Sequence, residues 1–323
     1  MSRNWYAATA PLRQEFRTLL DPERLRVLHR TSGWRHGAVA LRQFLLAGAS
    51  AWLIVRFRDG WIWLPAAVLL GFTVFGFTVL LHEVVHRAVF RRRLGPGNRL
   101  LAWLYAVPSG LSPSQFERWH LDHHAELGTD DSDPKRRYLT PRIVRRWFKA
   151  LYFTPALFPI YFRAAAREAA RYPPDLRTRL RRERAVVTAV QLAAMAAIVL
   201  FLGWGVLVKL YVIPVFFVFP VAFTINRLGQ HYDITPEDPA GWGTIIKTNP
   251  VWNFLFLWSS YHMEHHYFPA VPFYNLPALH RELAPVFARH PVRIRNYSGL
   301  LYDWLVRNQK PHSEWNTSHL ELS

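Results

Sequence analysis

The sequence predicts an all-α integral membrane protein, and three observations carry that expectation. Four stretches are almost free of charge: 37–57, 61–81, 185–202 and 210–225. Basic residues crowd the loops that these stretches would leave on one side. Nine of the 15 histidines fall in four places on that same side. The expected architecture is four transmembrane helices plus a re-entrant or interfacial segment. A cytosolic helical cap would hold a histidine-rich site.

Residues 1–35 are polar and charged, with no apolar stretch behind a short basic start, so no signal peptide is expected. This segment is expected to stay cytosolic. The first span, 37–57, contains Arg42 and Gln43 and is the least apolar. The second, 61–81, carries no charge in 21 residues. The third is interrupted only by Thr188 and Gln191, and the fourth is 16 residues long. About 20 residues cross ~30 Å of hydrocarbon. Lys209 can lengthen the fourth span by reaching to the interface, and Gly203, Trp204 and Gly205 supply a tight turn before it.

The apolar segment 100–111 has 12 residues, with Pro108 and Gly110 near its end. That suits a re-entrant or interfacial piece better than a crossing. Segments 82–99, 112–184 and 226–323 then share one side. Five arginines lie in 82–99 and 15 basic residues in 134–184, whereas the opposite side has little beyond Arg56 and Arg58. Positive loops stay cytoplasmic, so the histidine side is expected to face the cytoplasm. Trp147, Phe148, Tyr152, Phe158 and Tyr161 alternate with arginine and lysine, which predicts helices lying on the membrane over 141–171. Residues 36–310 would form the membrane domain and 311–323 a polar tail.

Composition excludes several chemistries. The chain has no cysteine, hence no disulfide scaffold, thiolate zinc site, iron–sulfur cluster of its own or cysteine nucleophile. The 40 basic against 22 acidic residues give +18. Basic loops beside membrane spans account for that charge more simply than nucleic acid does.

The clustered histidines are His82 and His86; His120, His123 and His124; His231; and His262, His265 and His266. Spacings of three and four residues place imidazoles on one helix face. Neutral imidazole suits iron, zinc and copper. Nine imidazoles exceed one ion's needs, and two ions with four or five nitrogen ligands each would use them. His29, His36, His280, His290, His312 and His319 lack such spacing and read as ordinary residues, with His280 the closest to a cluster. Residues 82–86 read HEVVH, which also fits a zinc protease helix. That alternative leaves the other boxes without a role. Glu83 and Glu264 are expected to accept hydrogen bonds from ligating imidazoles.

These boxes resemble those of the membrane fatty-acid desaturase and hydroxylase superfamily, closest to acyl-lipid and sphingolipid desaturases. The carrying motifs are HEVVH at 82–86, HLDHH at 120–124 and HMEHH at 262–266, with YSGLLYDWL at 297–305 similar to the sphingolipid branch. The similarity runs from about Trp61 to Trp304. His231 resembles the additional ligand that follows the last span in desaturases, and Asn226 a support for a water-bound ligand. The resemblance implies two irons, dioxygen as co-substrate and an acyl-chain desaturase, with a lipid or carotenoid hydroxylase as the alternative on the same scaffold. Zinc can fill such nitrogen sites in purified samples. Asp130, Asp131 and Asp133 follow the second box and are candidates to hold its imidazoles, to bind arginines on neighbouring loops, or to form a solvated acidic loop. Each turnover needs two electrons. With no cysteine and no dinucleotide-binding fingerprint, an external donor is implied, a ferredoxin or b-type cytochrome.

Overall fold

The computed structural model describes residues 5–90, 95–127, 132–141, 143–235 and 237–311. Asp130, Asp131, Arg91, Arg142 and all of the predicted tail beyond Pro311 lie outside these residues. In chain order the α-helices are α1 (Trp5–Ala8), α2 (Ala10–Leu19), α3 (Pro22–Leu28), α4 (Gly33–Arg56), α5 (Gly60–Val85) and α6 (Pro96–Ala106). There follow α7 (Pro113–Glu126), α8 (Pro134–Leu139), α9 (Arg146–Ala150), α10 (Leu157–Ala169), α11 (Pro174–Leu202) and α12 (Trp204–Leu207). The last are α13 (Phe219–His231), α14 (Pro250–Leu255), α15 (His262–Tyr267), α16 (Leu276–Phe287) and α17 (Tyr297–Leu301). Strands β1 (Thr244–Ile246) and β2 (Arg293–Arg295) pair in parallel, with Thr244 opposite Arg293.

The chain divides into two compact units. One comprises Ser32–Glu117 and Leu151–Thr224, and the other draws on the remaining residues. Four helices are long and apolar enough to cross a membrane: Gly33–Arg56, Gly60–Val85, Pro174–Leu202 and Trp204–His231. This is a predominantly helical membrane protein, and the short β1–β2 pair is the one departure from the all-α expectation among the described residues.

The helices outrun the apolar windows that revealed them. Hydropathy ends at the first ionisable side chain, whereas a helix continues as long as its backbone bonds are made. Asp59 caps the start of α5 through the Trp61 amide, and α5 runs past Leu81 to Val85. His82 therefore sits on its last turn and His86 caps its end. Pro174 opens α11, where a missing N–H costs nothing. Its 29 residues span ~44 Å, more than the ~30 Å hydrocarbon core. The predicted fourth span is one helix from Trp204 to His231, with π-helical turns over Val208–Val218 around Pro214. Gly203, at φ 85°, ends α11 and lets the next helix begin at once. Segment 100–111 forms α6 and a turn. Eleven helical residues reach ~16 Å, too short to cross.

Within this unit α4, α5 and the π-helical turns pack on Ile54, Ala66, Ala67 and Leu70, with Leu210 and Ile213 against them. The packing is closest at Gly71, where a Cβ would lie 2.7 Å from the Pro214 carbonyl. The polar interruption Gln191 is satisfied: it donates to the Val107 carbonyl at 2.5 Å and accepts from Tyr211 at 2.8 Å. Along α11, Leu200 and Phe201 are 79% and 83% exposed, as a lipid-facing surface requires. Buried Glu183 accepts from Ser112 Oγ (2.6 Å), Ser114 Oγ (2.6 Å) and the Ser114 amide (2.9 Å). It thereby satisfies free donors at the start of α7, the helix of the second histidine box.

The other unit has its apolar centre at Phe16, Leu279, Leu283, Phe287, Met263 and Trp242. The fully buried α15 sits in it. Asp233 pairs with Arg293 and Arg295, both at 3.2 Å, which anchors β2 just beyond the end of α13. Buried Lys149 donates to the carbonyls of Trp304 and Gln309.

The close approach at Gly71 gives a direct test. Gly71→Ala should lower stability by ~1–3 kcal/mol through overpacking. Gly48→Ala, with nothing within 4 Å of the new Cβ, should be neutral or slightly stabilising. Thermal unfolding in detergent compares them, and equal midpoints would contradict the packing described.

Candidate metal centre

The nine clustered histidines occur at the ends of α5 and α13, in α7 and in α15. In the first box, His82 and His86 are one turn apart with ring centroids 4.7 Å apart. Buried Glu83 reaches His82 Nδ1 from its Oε1 at 3.4 Å, a long hydrogen bond. Arg87, at φ 58°, turns the chain away immediately afterwards.

The remaining seven histidines belong to the other unit and form two groups. His120, His124 and His265 each offer a nitrogen within 4.8 Å of the others, and His265 Nε2 lies 3.0 Å from His124 Nε2. His123, His231, His262 and His266 form the second group. Sequence reasoning expected each H-x-x-H-H box to share one face, but the structure divides both. At 100° per residue, positions i+3 and i+4 fall on opposite sides of position i and 100° from each other. A single box can thus serve two centres. His120 and His124 of the second box join one group, and His123 the other. In the third box His265 goes one way, His262 and His266 the other.

The second group converges tightly. The Nε2 atoms of His231 and His262 are 2.9 Å apart, those of His231 and His266 3.1 Å, and those of His262 and His266 3.1 Å. Three imidazole nitrogens so placed cannot all be satisfied by hydrogen bonds among themselves, since a neutral ring has one donor and one acceptor. They do suit a metal ion. Metal–nitrogen bonds of ~2.1 Å put two ligand atoms ~3.0 Å apart at right angles and ~3.4 Å apart at the tetrahedral angle. The observed separations of 2.9–3.1 Å are within reach of a single ion.

The surroundings keep the donors available. His123 Nδ1 donates to Asp133 Oδ1 at 2.9 Å, and His231 Nδ1 to the Trp242 carbonyl at 2.7 Å. Each bond fixes the ring and leaves Nε2 facing inward. Asp133 also caps α8 through the Lys135 amide at 2.9 Å, and burial pushes its carboxyl up to about 6. Burial, then neighbouring imidazoles, holds His262 and His266 well below the usual imidazole range. They stay neutral, as metal ligation requires.

The supporting residues named from sequence fall as follows. Glu264 Oε1 is 2.5 Å from His280 Nδ1, so its partner is a histidine set aside in the sequence reading. That hydrogen bond raises His280 above its ordinary value. Asn226 donates to Ser259 Oγ at 2.8 Å and accepts from Gln230 at 3.0 Å, joining α13 to the turn before the third box. In that turn Leu257 and Trp258 both have positive φ, 49° and 59°. Sequence reasoning missed Glu183, the Trp242 carbonyl and Trp5, whose ring lies 5.8 Å from that of His266. Their only sequence signal was apolar or charged character far from the boxes.

The neutrality of the buried rings sets a pH dependence. A depressed imidazole pKa means that protons compete with metal only below the ordinary midpoint of ~6.5. Metal content should stay flat on acidification through that value and fall only further down. Loss centred at the ordinary midpoint would contradict the burial described.

Comparison with known proteins agrees with the geometry. The fatty acid desaturase family pattern matches residues 59–298. Sphingolipid delta(4)-desaturase/C4-monooxygenase DES2 of Homo sapiens is 28% identical over 269 residues, covering 80% of this chain and 77% of that protein. Sphingolipid delta(4)-desaturase DES1 of Drosophila melanogaster is 29% identical over 279 residues, covering 84% and 80%. The DES2 protein of Bos taurus is 27% identical over 286 residues, covering 84% and 80%. HEVVH is therefore the first of three histidine boxes rather than a protease helix. The chain belongs to the fatty acid desaturase family and is a membrane oxidoreductase that acts on lipid.

Proposed function

We propose that the protein is an oxygen-dependent diiron desaturase of a sphingolipid chain. The observation that carries this reading is the trio of Nε2 atoms at 2.9–3.1 Å, repeated in kind by His124 and His265. His123, His231, His262 and His266 would hold one iron. His120, His124 and His265 would hold the other, and His82 and His86 are proposed as metal ligands on the resemblance of HEVVH to the family's first box. Iron fits the donor set, since imidazole nitrogen suits it, and the family resemblance favours it. The sphingolipid assignment is supported by the names of the relatives.

When bound, the two irons would supply dioxygen activation and abstraction of hydrogen from an unactivated methylene. Overall, –CH2–CH2– plus O2, two electrons and two protons gives –CH=CH– and two waters. The chain's own residues hold the imidazoles neutral, fix their inward tautomer and bury the third box away from water. An alkyl chain offers no polar handle, so placement must come from apolar contact. A second reading, hydroxylation, draws on the same inputs and yields an alcohol and one water. The human relative's name, which includes C4-monooxygenase, favours keeping it.

The electrons would come from a separate ferredoxin or b-type cytochrome. The chain has no cysteine to hold a cluster. Lys135, Arg136, Arg137, Arg145 and Arg146 beside the second box would speed the approach of an acidic donor. The same charge supports placing the histidine side in the cytoplasm.

Two experiments test this reading. Cells expressing the chain should contain a sphingolipid two mass units lighter than its precursor, absent with His265→Ala. A species sixteen units heavier would favour hydroxylation, and an unchanged sphingolipid pool with donor and substrate supplied would contradict both. A protease-accessible tag inserted after Asp59 should be external and one after Ser323 cytosolic, and the reverse would refute the orientation.

A further inference from the structure

We propose that Trp5 and Arg13 are positioning residues of the metal centre, fixing the orientation of His266. This rests on the reading of the nine histidines as metal ligands. Both residues lie outside the matched family region, 59–298.

A ligating imidazole is normally oriented by a hydrogen bond from its second nitrogen. His123 and His231 have that bond. His266 does not: its Nδ1 has no hydrogen-bond partner among the described residues. Its ring must therefore be held by packing. On one side His124 stacks on it, centroids 4.1 Å apart and planes 14° from parallel. Trp5 meets it nearly perpendicularly, at 5.8 Å and 80°. Trp5 is fully buried, 6.2 Å from Trp242, whose carbonyl orients His231. It is thus wedged between one ligand, His266, and the support of another, His231.

Arg13 holds the backbone of the same residue. Its guanidinium donates to the carbonyls of Tyr267 at 3.3 Å and His266 at 3.5 Å. These are terminal carbonyls of α15, which have no partner within the helix, and a cation is favoured there. Arg13 is in turn tied to Trp5. Its Nε donates to Thr9 Oγ1 at 3.0 Å, and Thr9 Oγ1 donates to the Trp5 carbonyl at 2.6 Å. Trp5, Thr9 and Arg13, four residues apart, act as one brace on His266. Loosening either end should disturb the four-histidine group before the other.

The test uses full-length protein in detergent loaded with cobalt(II), reading cobalt count, d–d absorption and release to a chelator. Trp5→Ala and Arg13→Ala should each release one of two ions ~10–100-fold faster, the range for lost ligand support, with an altered spectrum. Trp5→Phe and Arg13→Lys should restore most of the parent behaviour. If Trp5→Ala does not fold, Arg13→Ala carries the test alone. Unchanged release and spectra in a folded alanine variant would overturn the inference, as would equal acceleration of both ions. A parent protein that binds fewer than two ions would overturn the underlying ligand assignment, and this inference with it.

Discussion

The structure depends on one electrostatic constraint. Buried imidazole nitrogens face one another at about hydrogen-bond distance, in numbers that hydrogen bonding alone cannot satisfy. Converging lone pairs in a desolvated site are repulsive unless a cation lies among them. Much of the surrounding architecture maintains that convergence. Asp133 and the Trp242 carbonyl orient rings. Asn226 joins the end of a spanning helix to the turn before the third box. Glu183 secures the start of the second-box helix.

Helix geometry explains how short motifs build such a centre. An H-x-x-H-H box on a helix offers rings in two directions, 100° apart at its adjacent histidines. Two such boxes can feed two groups of ligands, and each group receives residues from distant parts of the chain. A long helix can serve as a rigid post, and His231 lies on the final turn of one. Helices hold such side chains more precisely than loops do.

Much of this was legible in the sequence. The four spans follow from hydropathy, and the nine histidines from their spacing. Span ends were not legible, because apolar character stops at the first ionisable side chains while backbone hydrogen bonding carries α5 on to Val85 and α11 back to Pro174. The division of each box between two groups depends on where neighbouring helices lie, which spacing does not encode. The pairing of Glu264 with His280 was hidden for the same reason: a carboxylate within a histidine box has several plausible partners, and tertiary packing selects one. Trp5 and Arg13 carry no motif, and their role emerges only when the first helices are seen against α15.

The most direct test of the central claim is iron-edge X-ray absorption on anaerobically reconstituted protein, alongside its iron count. The account predicts about two irons per chain, each in a shell of nitrogen at ~2.1 Å with the outer scattering of several imidazoles. A single tightly bound ion, or a first shell dominated by carboxylate oxygen, would contradict it.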